Sequence, residues 1–303
     1  MAYYLIQYIH DNVPDARISG ITRTKQRPET AMLVDIYYNF VDLYWHPPSE
    51  LAKILADFKP DIIFHLASMA NVAESFKEPQ RFFENNVIGT VNLYEAIVAS
   101  GLKPTVVVCS TSEVYGSVEC KIHESQAFAP LNPYAITKVN QEYLAQYYWQ
   151  AHKIPCVITR AFGYINPLRR DLFATAMARQ VVEAERNGIN AEIRHGNLRP
   201  IRTFCDIRDM AEAYWLAATK GEHGQAFNIG SENDITLGAL LQCIAEGSNV
   251  KVRFKQDETR MRPTDILCAV PSTTKFRRLT GWEPKRTLGE SLDFLMEVVR
   301  NAD

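Results

Sequence analysis

The sequence predicts a doubly wound α/β protein, a parallel sheet with helices on both faces, joined to a smaller C-terminal α/β domain. Two observations predict it. Short β-branched apolar runs alternate with amphipathic helical stretches through the first half, the pattern of crossover connections between parallel strands. The run TVVVC at 105–109 is apolar at nearly every position, as a strand covered on both faces must be.

The elements follow in order. Residues 3–11 (YYLIQYIHD) carry helical spacing, Pro14-Asp15 marks a turn, and 17–22 (RISGIT) is a strand. A third strand precedes Asp42, 51–58 is a helix, and 61–67 (DIIFHLA) is a buried strand. A long helix spans 82–100, the strand 105–109 follows, and a Tyr-rich helix covers 134–152 before the strand 156–160 (CVITR). From 163 the texture changes to arginine-rich loops and short elements, with Pro167, Pro200, Pro263, Pro271 and Pro284. This is the second domain. Two of its stretches, a helix at 209–218 and a strand at 225–229, are expected to return to the first sheet. There is no internal repeat and no low-complexity segment.

Composition narrows the function. The chain has 303 residues, about two domains at ~150 each, enough for a large core. Lys plus Arg number 33 against 35 Asp plus Glu, so nothing drives binding to nucleic acid or an anionic membrane. No apolar run approaches the ~18 residues that span a bilayer. The N-terminus has neither basic nor apolar leader character, and the six cysteines (Cys109, Cys120, Cys156, Cys205, Cys243, Cys268) show no C-x-x-C spacing. The expectation is a cytoplasmic enzyme with reduced thiols and a small partner. His65 lies in an apolar strand and reads as a core histidine; His123 and His195 lack metal-ligand spacing, so no metal is expected.

The strongest local signal is Tyr134-Ala-Ile-Thr-Lys138, which puts a phenol and an ammonium on one helix face. A lysine held near a phenol is expected to pull its pKa down and suit it to proton exchange with an alcohol or ketone. The same spacing also occurs on solvated helix faces. Directly after TVVVC stand Ser110, Thr111, Ser112 and Glu113, at a strand's carboxyl end, where ligands bind in open α/β sheets. Short hydroxyls also cap and turn, and a glutamate also forms surface ion pairs.

With these residues stand His65-Leu66-Ala67-Ser68, Asn86-Val-Ile-Gly89-Thr90, Ser110 to Gly116 and Pro133 to Lys138. Together they resemble an extended short-chain dehydrogenase/reductase of the nucleotide-sugar epimerase/dehydratase group, with its Rossmann-like fold. Gly196-Asn197-Leu198, Arg202 to Asp209, Arg260 to Asp265 and Thr280 to Pro284 are similar to the branch of GDP-mannose 4,6-dehydratase and GDP-4-dehydro-6-deoxy-D-mannose reductase.

The resemblance implies that residues 1–162, with the returning stretch near 205–230, bind a dinucleotide, and that 163–303 hold a nucleotide sugar, a GDP-hexose. Tyr134 and Lys138 would be the catalytic pair, Lys138 also holding the nicotinamide ribose. Thr111 would hydrogen-bond the sugar O4 and Glu113 would act at C5 and C6. Oxidation at C4 acidifies the C5 proton, a base removes it, water leaves from C6 and the hydride returns there, so a dehydratase needs the extra carboxylate. A 4-keto reductase, an epimerase and a cofactor-impaired sugar-nucleotide-binding protein are the alternatives. Leu66, Ala67 and Ser68 would line the cofactor, and Asp42-Leu43 resembles the adenine-contacting pair. Arg23 and Lys25 follow the strand whose end selects the ribose substituent, which favours NADP over NAD. Ser112, Asn166, Arg202, Arg262 and Asp265 are the substrate-side candidates, the arginines for their forked donors. A homodimer or homotetramer through the Tyr143, Tyr147, Tyr148 and Trp149 helix is also implied.

The sequence departs from the family in places. The Gly-x-x-Gly-x-x-Gly fingerprint is absent, so the first strand and glycine-rich loop read as missing, and weak NADP binding is expected. Gly163 and Tyr164 stand where the family shows Asn and His, Asn166 where it shows Gly, and Thr203 where Asp is common.

Overall fold

The computed structural model describes residues 1–23, 37–118, 121–261 and 264–302. Its strands are β1 (Ser19–Thr22), β2 (Tyr37–Phe40), β3 (Ile62–His65), β4 (Thr105–Thr111), β5 (Cys156–Ala161), β6 (Tyr164–Ile165), β7 (Ala191–His195), β8 (Ile201–Thr203), β9 (Cys205–Asp206), β10 (Ala226–Ile229), β11 (Asp234–Thr236), β12 (Val252–Gln256) and β13 (Cys268–Ala269). The main sheet has the order β10-β5-β4-β3, parallel throughout, and β1 and β2 form a separate parallel pair. This is a parallel Rossmann-like α/β fold.

Side-chain alternation explains the layering. Val106 and Val108 of β4, with Cys156 and Ile158 of β5, pack with Leu93, Tyr94, Ile97, Ala145 and Tyr148 on one face. Their neighbours Val107, Cys109 and Val157 turn to the other face, against Tyr4, Leu5 and Ile9 of the helix Ala2–Asn12 and Met210, Tyr214 and Ala217 of the helix Ile207–Lys220. Successive strand residues point to opposite faces, so an uninterrupted apolar run serves two helical layers. A second core joins the helices Phe173–Arg186, Leu237–Glu246 and Leu288–Asn301 to β7. Smaller sheets, β11-β8-β13, β12-β7 and β6-β9, complete the C-terminal half.

Two elements differ from expectation in informative ways. The helix expected over 82–100 is broken into Pro79–Phe83, a π segment Glu84–Ile88, and Gly89–Ser100. The wider turn carries Asn86 into the interior, where its Nδ2 donates to Met69 O and Thr137 Oγ1 and its Oδ1 accepts from Met69 N. The strand expected over 61–67 ends at His65, releasing residues 66–68 as an exit loop at the sheet's carboxyl edge. The Tyr cluster also divides: Tyr148 is buried and stacked on Tyr94, whereas Tyr143 and Tyr147 are 57% and 54% exposed.

No helix among the described residues is long and apolar enough to cross a membrane, and they contain no cluster of His, Cys, Asp and Glu that would hold a metal.

Candidate active site

The helix Pro133–His152 presents the phenol and the lysine. Its start is fixed by Pro133 in the first turn and by Asn132, whose Oδ1 accepts from Ala135 N at 2.8 Å. The other end of the same amide reaches sideways: Asn132 Nδ2 donates to Glu113 Oε2 at 2.9 Å. One residue therefore caps the helix and holds the carboxylate.

β4 delivers the opposing groups. Its last residue, Thr111, accepts from Glu113 N and starts the short 3-10 turn Ser112–Tyr115. Thr111, Glu113 and Tyr134 interact with one another. Burial holds the Tyr134 phenol above its ordinary range; the Thr111 hydroxyl opposes the rise, Tyr164 and Glu113 add to it, and Arg169 opposes it. The expected lowering by Lys138 is thus not what the structure shows. Lys138 Nζ sits 5.9 Å from the Tyr134 ring centre and spends its donors elsewhere, on Ser68 Oγ and Cys109 O, each at 2.7 Å. Burial pushes Lys138 down to about 8, with Cys109 and Glu142 working upward and Arg169 downward.

Ser68 comes from the loop after β3, next to Leu66, which is partly buried, and Ala67, which is exposed. Asp42 and Leu43 follow β2; Asp42 Oδ1 accepts from Tyr44 N, and Leu43 O accepts from Asn92 Nδ2. Arg23 is exposed just beyond β1 and donates to Asn85 Oδ1 at 3.2 Å. These groups all lie past the carboxyl ends of parallel strands. An ammonium, a hydroxyl, a small side chain and an outer guanidinium form a donor set that suits a nicotinamide dinucleotide.

On the substrate side, Arg202 donates to Ile201 O and Ile266 O, with Asp265 Oδ1 3.9 Å from its Nη2. Asp265 Oδ2 accepts from Asn197 Nδ2 at 2.9 Å. Arg262 and Lys25 lie outside the described residues. Ser112 is half-buried. Asn166 is fully buried: its Oδ1 accepts from Leu168 N, and its Nδ2 has no partner among the described residues. Gly163 has a steric reason, because a Cβ there would stand 2.3 Å from Thr203 O.

Sequence reasoning gave no site role to Asn132, Arg169 or Gln141, and it named Tyr164 only as a departure from the family. Only Asn132 carried a local signal, an N-capping amide before a proline. The others meet the site through long-range packing.

The family model for GDP-mannose 4,6 dehydratase matches residues 5–293. GDP-6-deoxy-D-mannose reductase of Pseudomonas aeruginosa is 31% identical over 237 residues, 77% of this chain and 78% of that protein. GDP-mannose 4,6 dehydratase 2 of Caenorhabditis elegans is 27% identical over 305 residues, covering 90% of this chain and 80% of that one. The solved structure of Pseudomonas aeruginosa RMD complexed with NADPH superposes with a TM-score of 0.83 at 25% identity, covering 94% of this chain and 99% of that one.

Proposed function

The chain belongs to the GDP-mannose 4,6-dehydratase family of NAD(P)-dependent nucleotide-sugar enzymes, and on that premise we propose that it is an NADP-dependent 4,6-dehydratase of a GDP-mannose-type substrate. The observation that carries this reading is Glu113, held by Asn132 beside Thr111 and Tyr134. Reduction of a ketone requires a phenol, a lysine and a hydroxyl; elimination of water requires a further base, and Glu113 supplies it.

Thr111 donates to the sugar O4 and holds it against Tyr134. Tyr134 acts as the phenolate: it takes the O4 proton and becomes the phenol as the C4 alcohol becomes a ketone. Lys138, charged and dry, would bind the nicotinamide ribose. Glu113 removes the acidified C5 proton and protonates the departing C6 hydroxyl, and Asn132 keeps its carboxylate aimed. The nicotinamide, when bound, supplies hydride storage between the oxidation at C4 and the reduction at C6. Arg202, Asp265, Ser112, Asn166 and Arg262 are assigned to the nucleotide sugar, Asn166 because its buried Nδ2 needs an acceptor. Leu66, Ala67, Ser68, Asp42 and Leu43 are assigned to the cofactor, with Arg23 and Lys25 selecting NADP. The exposed Tyr143 and Tyr147 support a homo-oligomer formed on that helix.

The test is incubation of the purified protein with GDP-mannose, with and without added NADP, followed by mass analysis of the sugar nucleotide. Loss of one water without NADPH supports the dehydratase. The reductase is the second reading, favoured by the 31% identical relative. It requires a 4-keto sugar nucleotide and consumption of NADPH.

A further inference from the structure

Behind Lys138 lies a buried polar chain that the catalytic scheme does not use. Gln141 is one turn along the same helix and is 1% exposed. Its Nε2 donates to Asn86 O at 3.0 Å and to Thr90 Oγ1 at 2.7 Å, and its Oε1 accepts from Ser68 Oγ at 3.3 Å. His65 Nε2 stands 2.8 Å from Thr90 Oγ1 and 3.2 Å from Gln141 Nε2.

The directions in this chain follow from chemistry. A backbone carbonyl only accepts, so Asn86 O fixes which end of the Gln141 amide is nitrogen. The oxygen then faces Ser68. An amide oxygen only accepts, so the Ser68 proton points toward Gln141 and the serine lone pairs are left for Lys138 Nζ at 2.7 Å. An ammonium can only donate, and an amide does not pass a proton on. The arrangement therefore orients and does not relay.

We propose that Gln141 is a positioning residue: it locks the Ser68 hydroxyl as an acceptor for Lys138 and thereby keeps that lysine protonated in its dry pocket. Without the Gln141 oxygen, the serine hydroxyl turns freely and donates to the lone pair of a neutral amine, which favours proton loss. The groups facing Lys138 from the packed elements are Cys109 on β4, His65 on β3, Arg169 in the loop after β6, and Tyr134 and Glu142 on its own helix. Burial forces His65 down to about 3, with Lys138 adding to the fall, so it stays neutral where Lys138 titrates. The consequence for turnover rests on the role given to Lys138 above; the ionisation of Lys138 does not, so failure of either is separately visible.

The test is a titration of the lysine Cε signals by NMR in the ligand-free protein, with Lys138 assigned by its loss in Lys138→Arg. The native midpoint is expected near 8, the value to which burial pushes Lys138. Gln141→Met, close to isosteric, is expected to lower it by about one pH unit, and the alkaline limb of kcat by the same amount, roughly tenfold less turnover above that limb. Gln141→Asn, which keeps an amide but withdraws it, moves the midpoint the same way and serves if the methionine variant does not fold. In a Ser68→Ala background neither substitution produces a further shift. An unchanged midpoint in the Gln141 variants, or an equal shift in the Ser68→Ala background, overturns the proposal.

Discussion

Arg160 and Glu142 face one another beneath the end of β4, Nη2 to Oε2 at 2.7 Å with Nε 3.1 Å from both carboxylate oxygens, and neither is open to solvent. The pair gathers its surroundings. Ser110 Oγ donates to Glu142, while Arg160 Nη1 donates to Tyr115 Oη and Glu124 O. It thus ties the helix Pro133–His152, β4 and the segment after Glu113 together. Removing one partner strands a buried charge. Arg160→Met is expected to lower unfolding stability by about 3–5 kcal/mol, whereas the double variant Arg160→Met with Glu142→Leu recovers much of the loss. Urea denaturation midpoints decide it, and equal losses in the single and double variants contradict the account.

His65 gives the acid side of the stability profile a specific shape. Burial holds its folded pKa at about 3, below the usual value of 6.5, so between these limits the unfolded chain binds the extra proton. Its contribution is complete above pH 6.5 and is lost as pH falls toward 3. The native protein is expected to lose up to about 1.4 kcal/mol per pH unit more than His65→Asn across that window. Parallel stability curves for the two proteins are the opposing result.

Asn132 separates folding from chemistry. Asn132→Asp keeps an oxygen to cap the helix but has no donor for Glu113. Thermal stability is expected to stay near native while kcat for dehydration falls about ten- to hundredfold, the scale of a misplaced catalytic group. A kcat unchanged within twofold rejects the assignment.

Arg23 bears on the choice of nicotinamide. Arg23→Ala is expected to weaken NADPH binding about tenfold or more and to leave NADH binding as it was, because a charged hydrogen bond to the 2′-phosphate is lost. Equal weakening of both, by fluorescence titration, argues against this position for the phosphate.

The parts legible in the sequence were those written locally. The apolar run of β4 and the four-residue spacing of Tyr134 and Lys138 reveal themselves in one strand and one helix. The ionisation of Tyr134 was not legible, because the lysine's partners, Ser68 and Cys109, come from other strands. Gln141 and Ser68 lie 73 residues apart, and no spacing rule connects them. The break in the 82–100 helix depends on what Asn86 finds inside, at Met69 and Thr137. Gly163 in place of the family's Asn gains its reason only from the approach of Thr203 O. Arg202 was legible as a forked donor in the C-terminal half, but its carbonyl partners, Ile201 and Ile266, were not.

The central claim is that Glu113 makes this chain an eliminating enzyme, and turnover of GDP-mannose in deuterium oxide tests it most directly. If Glu113 removes the C5 proton and solvent replaces it, the product has lost one water and carries one deuteron at C5, and Glu113→Gln yields no such product. A product without deuterium, or a protein that acts only on a 4-keto sugar nucleotide with NADPH, contradicts the claim.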